Sequence, residues 1–320
     1  MTDSSIRPIV VGTRGSALAL WQAEYVVRRL RARHPDRRFE IKPIRTRGDV
    51  VREAALADIG ARGVFVKEIQ SALLSGEVDL GVHSLKDLPS EPAPGVALAA
   101  VSPREDPRDV LVSHHGCTLA ELPGGARLGT SSPRRSAQLR AFRPDLVVES
   151  IRGNVDTRVR KARGPELDGV VLAAAGLRRL GLADQISEYI APSVLLPAPG
   201  QGIIGVEARA DDAECLALAA SIDDAATHLA ARAERAFVRA LGGGCTTPLA
   251  AYAQMRADTI HIQGALASPD GRCLLREELV ATAADPELAG IELARRLLAD
   301  GGDVILAEIK HAGGGVDDPG

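Results

Sequence analysis

The chain has 320 residues, 45% of them apolar, and a net charge of −3, which is length enough for two or three domains with cores of their own, without disulfide staples. That charge balance excludes a protein built mainly to hold nucleic acid, which asks for a strongly basic total or stripe. No stretch approaches the roughly 18 to 20 apolar residues that cross a bilayer, and Met1 to Pro8 lacks the basic and long apolar regions of a secretory signal.

Over the first two thirds, short β-branched runs alternate with amphipathic stretches, which predicts strand, helix, strand units with parallel pairing. Arg7 to Val11 reads as a strand, Ser16 to Arg33 as a helix with Leu20, Val27 and Leu30 on its apolar side, and Phe39 to Ile44 as the next strand. Val64 to Leu74 is helical, and Val78 to Val82 is a buried strand that ends at His83-Ser84-Leu85-Lys86-Asp87. After the turn-rich Ser102-Pro-Arg-Glu-Asp-Pro107 the pattern repeats. Strands are expected at Val110 to Ser113, Ala126 to Gly129, Leu146 to Ile151 and Gly169 to Ala173, and helices at Pro133 to Phe142, Val155 to Ala162 and Ala174 to Leu180. The stretches Gly12-Thr13-Arg14-Gly15-Ser16 and Gly129-Thr130-Ser131-Ser132-Pro133-Arg134-Arg135 each close a strand with Gly-Thr and open a helix with Ser and Arg, so two similar lobes are implied.

The remainder changes character. Ala225 to Leu241 reads as a long helix, followed by antiparallel strands at Ala250 to Met255, Thr259 to Leu266 and Arg272 to Val280. A helix at Pro286 to Ala299 and a strand at Val304 to Ile309 complete a small α+β domain, with a disordered tail from about Gly313. The expected domains are 1–102 with 199–221, then 103–198, then 222–320.

Charge is uneven along the chain. Between Arg127 and Arg163 nine Arg and one Lys face only Asp145, Glu149 and Asp156, which points to a compact polyanion as ligand. Of the 39 basic residues only five are Lys; guanidinium forks suit carboxylates and phosphates. Ser131 or Ser132 can cap a helix whose first position is Pro133, leaving backbone N–H groups and the helix dipole to face an anion, with Arg134 and Arg135 reinforcing the field. An ordinary cap with solvated arginines fits the same residues. Arg152-Gly-Asn-Val-Asp-Thr-Arg158 and Gly176-Leu-Arg-Arg179 come after further strands, and in open α/β sheets ligands gather at the carboxyl ends of strands. Arg14, Arg134, Arg135, Arg152, Arg158 and Arg179 are all expected there.

Asp87 stands where the strand 78–82 runs out. With Ser84 it also matches a capping box, so both roles stay open, and Lys86 beside it favours its ionised form. His83 reads as a packed strand-end histidine. The four cysteines form no Cys-x-x-Cys pair and show no metal-site spacing, so no metal is expected and a reducing cytoplasm is the natural location. Cys117, Cys215 and Cys273 read as small core residues. Cys245, in Leu241-Gly-Gly-Gly-Cys-Thr-Thr-Pro248, comes after three glycines that permit close backbone approach, and a tethered group is expected there.

Thr13-Arg-Gly-Ser16 with Leu18-Ala-Leu-Trp-Gln22, Thr46-Arg-Gly-Asp49, His83-Ser-Leu-Lys-Asp87, Arg104-Glu-Asp-Pro-Arg-Asp109, Gly129-Thr-Ser-Ser-Pro-Arg-Arg135, Arg152-Gly-Asn154, Pro199-Gly-Gln-Gly202 and Gly243-Gly-Cys245 together resemble the porphobilinogen deaminase family over nearly the whole chain. The resemblance implies an α/β fold with two lobes like those of type II periplasmic binding proteins and a small α+β third domain. It implies a dipyrromethane cofactor held by a thioether to Cys245, and stepwise condensation of four porphobilinogen molecules, with loss of ammonia, to linear hydroxymethylbilane. Asp87 would then be the catalytic carboxylate. Lys86, Asp87, Ser132, Arg134, Arg135 and Arg158 would hold the cofactor, and Arg14, Ser16, Arg152, Arg158 and Arg179 the substrate. A monomer with no nucleic-acid or membrane partner is expected. The chain departs from the family at Asp58 and Arg62, where relatives often carry lysines, and at Ala17 and Pro133 inside otherwise matching motifs. The alternative is a non-catalytic two-lobed anion-binding protein, which would need neither a third domain nor a reactive cysteine.

Overall fold

The computed structural model describes residues 7–44, 61–242 and 247–313. In chain order its elements are β1 (Ile9–Arg14), α1 (Ala17–Arg33), β2 (Phe39–Ile44), α2 (Ala61–Leu74), β3 (Leu80–Ser84), β4 (Val96–Val101), β5 (Asp109–Ser113), β6 (Arg127–Gly129), α3 (Pro133–Phe142), β7 (Val147–Glu149), α4 (Val155–Lys161), β8 (Gly169–Ala173), α5 (Ala174–Arg179) and β9 (Glu188–Tyr189). They continue with β10 (Ile204–Arg209), α6 (Ala213–Ala220), α7 (Ala225–Ala240), β11 (Leu249–Arg256), β12 (Thr259–Ala267), β13 (Leu274–Thr282), α8 (Pro286–Leu297) and α9 (Asp303–Gly313). The chain divides into two units: the residues up to Glu105 with Gly202–His228, and Asp106–Gln201 with everything from Leu229.

In the first unit Ala23, Val26, Val27 and Leu30 recur on α1 at helical spacing and are buried against Ile9, Val11 and Val82 of the sheet. The sheet order is β2-β1-β3-β10-β4. β1 runs parallel to β2 and β3, whereas β10 is antiparallel to both β3 and β4.

The second unit repeats this plan as β7-β6-β8-β5-β9, with β6 parallel to β7 and β8, and β5 antiparallel to β8 and β9. Its core lies on both faces of the sheet, as the strand period of two requires: Val110, Val112, Val170 and Leu172 pack on one side, Leu111, Leu128 and Val171 on the other. The strand, helix, strand units expected to pair in parallel do so, β1 with β2 and β6 with β7, while β10 and β5 add antiparallel pairing that was not expected from sequence. In each sheet the antiparallel strand, β10 or β5, is the one the chain lays down on crossing between units, a long-range event that local periodicity does not report.

The same unit holds a second, antiparallel sheet, β11-β12-β13, whose core gathers on the fully buried Phe237 of α7. Val304 to Ile309, expected as a strand, lies within helix α9. Ile305 and Ile309, four residues apart, turn toward the core with Leu306, while Val304 is left 58% exposed. A short apolar run carries both periods, and packing against the core selects the helix.

Gly290 sets the approach of α8 to α7, because a Cβ there would stand 2.2 Å from the Ala233 carbonyl oxygen and 2.8 Å from the Phe237 nitrogen. Gly290→Ala is therefore expected to destabilise the protein by about 1–3 kcal/mol as the helices are pushed apart, seen as a lowered midpoint in chemical denaturation.

Candidate functional site

In the first unit, β1 and β3 are parallel neighbours, so the loops that leave them emerge at one end of the sheet. β1 ends on Arg14 and is followed by Ser16, which caps α1 by accepting from the Ala19 N–H at 3.3 Å. β3 ends on Ser84 and leads into a single 3-10 turn, Leu85–Asp87. Thr13 Oγ1 ties the strand ends together by donating to the Val82 carbonyl at 3.3 Å. The capping-box reading of Ser84 with Asp87 is corrected: Ser84 makes no side-chain cap, and its Oγ instead accepts from Gln22 Nε2 at 2.8 Å. A 3-10 turn of three residues is too short for the reciprocal bonds of a box, so Asp87 is released from that duty.

In the second unit the parallel trio β7-β6-β8 brings three loops to one sheet end. Ser132 is the cap residue of α3 by position, with Pro133 at the first helical place, but its hydroxyl makes no cap bond. Ser131 works across the sheet instead. Its hydroxyl accepts from the Ile151 N–H at 3.1 Å, donates to the Ile151 carbonyl and meets Ser150 Oγ at 3.1 Å, which sews the loop after β6 to the loop after β7. In that second loop Gly153 has φ +117 and Asn154 caps α4. Arg158, one turn into α4, folds back and donates through Nε to the Gly153 carbonyl at 2.8 Å. Arg152 and Arg158, six positions apart in sequence, are thus gathered at one strand end, Arg152 exposed and Arg158 half-buried. Arg179 closes α5, about 7.5 Å along the helix from its first residue.

Arg134 and Arg135 are not solvated cap arginines; they are 5% and 6% exposed. Between them lies Asp109 at the start of β5, fully buried, with Oδ2 2.7 Å from Arg134 Nη1 and Oδ1 2.7 Å from Arg135 Nη2. Arg135 also donates through Nε to Asp109 at 3.0 Å and through Nη1 to the Val171 carbonyl at 3.1 Å, and Arg134 donates to the Leu196 carbonyl at 2.6 Å. Gln201 Nε2 adds a donor to Asp109 at 2.9 Å. Burial by itself would raise the Asp109 pKa, but the two guanidinium groups outweigh it and hold the carboxyl well below the usual carboxylate range. Two cations on one anion leave a surplus positive charge beneath the α3 N-terminus.

Sequence reasoning missed Asp109 and Gln201 as parts of the site, and read Ser131 only as a possible helix cap. Asp109 and Gln201 stood inside quoted motifs, yet nothing local says that an acid 25 positions before an arginine pair will be buried against it. Of the three cysteines read as core residues, only Cys215 is buried, its thiol pushed up to about 12 by burial and by Asp212. Cys117 is partly exposed and Cys273 exposed, in a turn whose backbone is closed by Ser268. Cys245, Asp58 and the Thr46-Arg-Gly-Asp49 stretch lie outside the described residues, as does the side chain of Arg62.

Two α/β sheets of one strand order, each presenting polar loops at the carboxyl ends of its parallel strands, define a two-lobed protein of the type II periplasmic-binding-protein kind, with a small antiparallel domain added. Comparison with known proteins sharpens this. Residues 9–217 match the family model described as porphobilinogen deaminase, dipyromethane cofactor binding domain, and residues 228–299 that of the porphobilinogen deaminase C-terminal domain. The porphobilinogen deaminase of Syntrophomonas wolfei is 50% identical over 305 residues, 95% of this chain and 100% of that one. That of Syntrophotalea carbinolica is 50% identical over 309 residues, 97% of each. Among solved structures, a YaeC-family lipoprotein from Enterococcus faecalis V583 is 14% identical over 70% of this chain and 95% of its own, with a TM-score of 0.40; a likeness that faint adds nothing to the strand order itself. The chain belongs to the porphobilinogen deaminase family, whose members are transferases.

Asp109→Asn should cost about 3–5 kcal/mol, since it leaves two guanidinium groups buried with a neutral partner. The sign with pH comes from the depressed pKa. Below roughly pH 4 the unfolded state takes up the proton first, so the stability that Asp109 contributes is present above that pH and fades beneath it. Thermal unfolding of both proteins from pH 7 to pH 3 should show the gap between them narrowing on the acid side.

Proposed function

We propose that this chain is a working hydroxymethylbilane synthase, which condenses four porphobilinogen molecules with release of ammonia on a dipyrromethane joined to Cys245. The observation that supports it most is the collection of guanidinium groups on the strand ends of the second unit. Each pyrrole carries an acetate and a propionate, and carboxylates are what arginine forks bind in pairs. A surplus cation held by Asp109, with Arg152 and Arg158 on the neighbouring loop, fits a group of that chemistry. The dipyrromethane, when bound, supplies the pyrrole end to which the first porphobilinogen is joined.

In this reading Ser132, Arg134, Arg135 and Arg158, with Lys86 and Asp87 of the first unit, hold the carboxylates and N–H groups of the cofactor. Arg14, Ser16, Arg152 and Arg179 bind those of the incoming substrate. Loss of ammonia leaves the substrate carbon cationic, and the proton shed by the attacked ring carbon leaves with the ammonia as ammonium. A carboxylate placed beside the cationic carbon stabilises that charge and accepts hydrogen bonds from the pyrrole N–H groups, a contribution of about 10²–10⁴ in rate. Asp87 is suited to this because it sits on a turn at the carboxyl end of β3, half-buried. A monomer acting in the cytoplasm, with no nucleic-acid or membrane partner, completes the proposal. In its support, no helix among the described residues is long and apolar enough to cross a membrane, and the net charge is −3.

Two substitutions separate attachment from chemistry. Cys245→Ala should abolish product and remove the covalent adduct from the intact mass, whereas Asp87→Asn should keep the adduct and slow turnover by at least about 10²-fold. An active, adduct-free Cys245 variant would refute the tether, and a wild-type rate for Asp87→Asn would remove the carboxylate from the chemistry. Arg152→Leu should weaken substrate binding, read as a raised KM for porphobilinogen with the adduct in place; an unaltered KM would return Arg152 to the solvated surface.

A further inference from the structure

At the opposite end of the second unit's sheet, away from the arginine loops, donors of a different kind meet. His114 and His115 come directly after β5 and Asp168 precedes β8, and because Ser113 pairs with Gly169 in that antiparallel ladder, residues 53 positions apart are brought together. One donor atom of each of the three lies within 4.8 Å of the other two. His115 Nε2 is 2.8 Å from Asp168 Oδ1, and the two imidazole rings lie 4.2 Å apart, tilted by 37°.

Each donor is oriented by a partner behind it. His114 Nδ1 is 3.3 Å from the Ala162 carbonyl; a carbonyl only accepts, so the ring proton is on Nδ1 and the Nε2 lone pair is left for a ligand. The second oxygen of Asp168, Oδ2, accepts from the Arg127 N–H at 2.7 Å, which leaves Oδ1 on the histidine side. Both histidines are exposed and Asp168 is half-buried, so there is an entry path.

We propose that His114, His115 and Asp168 form a surface binding site for a divalent transition ion of the zinc kind, with water completing its coordination. Two imidazoles and one carboxylate suit zinc, while magnesium and calcium favour oxygen ligands throughout. Metal–ligand lengths near 2.1 Å place tetrahedral donors about 3.4 Å apart, so the 2.8 Å contact between His115 and Asp168 has to open by about 0.6 Å when the ion takes the place of the shared proton. The site stands the length of β8, about 13 Å, from that strand's carboxyl end. The ion would pin the loop after β5 to the entry of β8 without touching the pyrrole chemistry.

The test is calorimetric titration of the full, cofactor-bearing chain with zinc chloride, beside His115→Gln, Asp168→Asn and His114→Gln, the last of which gives up the Ala162 carbonyl contact and the ring contact with His115 besides its ligand role. One zinc per chain is expected, bound at least about 10-fold more weakly by each variant, with no response to magnesium and turnover unchanged in all three. Failure of wild-type protein to bind zinc, or equal affinity in wild type and variants, overturns the site. Cobalt(II) in place of zinc distinguishes the remaining ligands: a sulfur-to-metal charge-transfer band would assign the ion to a cysteine and likewise overturn it.

Discussion

A buried carboxylate between two guanidinium groups organises the basic half of this molecule. Asp109 stands at the first position of β5, and its side chain binds Arg134 and Arg135 of α3 and Gln201 of the returning segment, while Arg135 also reaches the Val171 carbonyl of β8. Burying one ion costs several kcal/mol, and a paired set is tolerated only when its hydrogen bonds are filled. Here both guanidinium groups face the one carboxylate, whose Oδ1 alone collects three donors, and the count of charges is uneven: two positive to one negative. The position of that excess is fixed by the same bonds that hold β5, β8 and α3 together.

The two units solve one topological problem twice and use the answer differently. In each, parallel strands flank a strand laid down in the opposite sense when the chain crosses between units, so loops collect at one sheet end. The first unit offers a carboxylate on a short turn, Asp87, with Ser16 and Arg14 nearby in the sheet order. The second offers guanidinium groups braced by Asp109, Gly153 and the Leu196 carbonyl. In the proposed reaction, which binds several carboxylates and passes through a cationic carbon, both kinds of group have a use: Asp87, the proposed catalytic carboxylate, belongs to the first sheet and the buried arginine pair to the second unit. The returning segment is tied equally firmly within the second unit. Glu234 of α7, fully buried, accepts from the Gly200 and Ala253 N–H groups at 2.7 Å each, joining that segment to β11.

Much of this was legible in the sequence because the relevant signals are local. Pro133 to Phe142 and Gly169 to Ala173 match their elements end to end, since a proline opens the helix and the apolar run Val170-Val171-Leu172 is bounded by glycine and alanine. The gathering of Arg152 and Arg158 came from six residues spanning a tight turn. The features that escaped reading depend on distant partners. β4 and β10 carried no signal strong enough to be named, and each pairs with a strand more than a hundred positions away. The end of the chain was misread because Val304-Ile305-Leu306 satisfies either period until a core chooses one. The burial of Arg134 and Arg135 was hidden for the same reason: a run of two arginines after a proline is an exposed cap in isolation, and only Asp109 makes it a core feature.

That burial also decides between two explanations of the arginine excess. Of 39 basic residues only five are lysine, and compositional drift explains an exposed arginine as well as selection does. It does not explain Arg135. Its three nitrogens serve two acceptors on different strands at once, Nε and Nη2 on Asp109 and Nη1 on the Val171 carbonyl. A lysine brings a single nitrogen on a flexible stem and sheds a tighter hydration shell on burial, so it would satisfy one acceptor and abandon the other inside the protein, where an unmet polar group is most costly. At this position the planar fork is required by geometry, and the fold of the second unit depends on it before any ligand arrives.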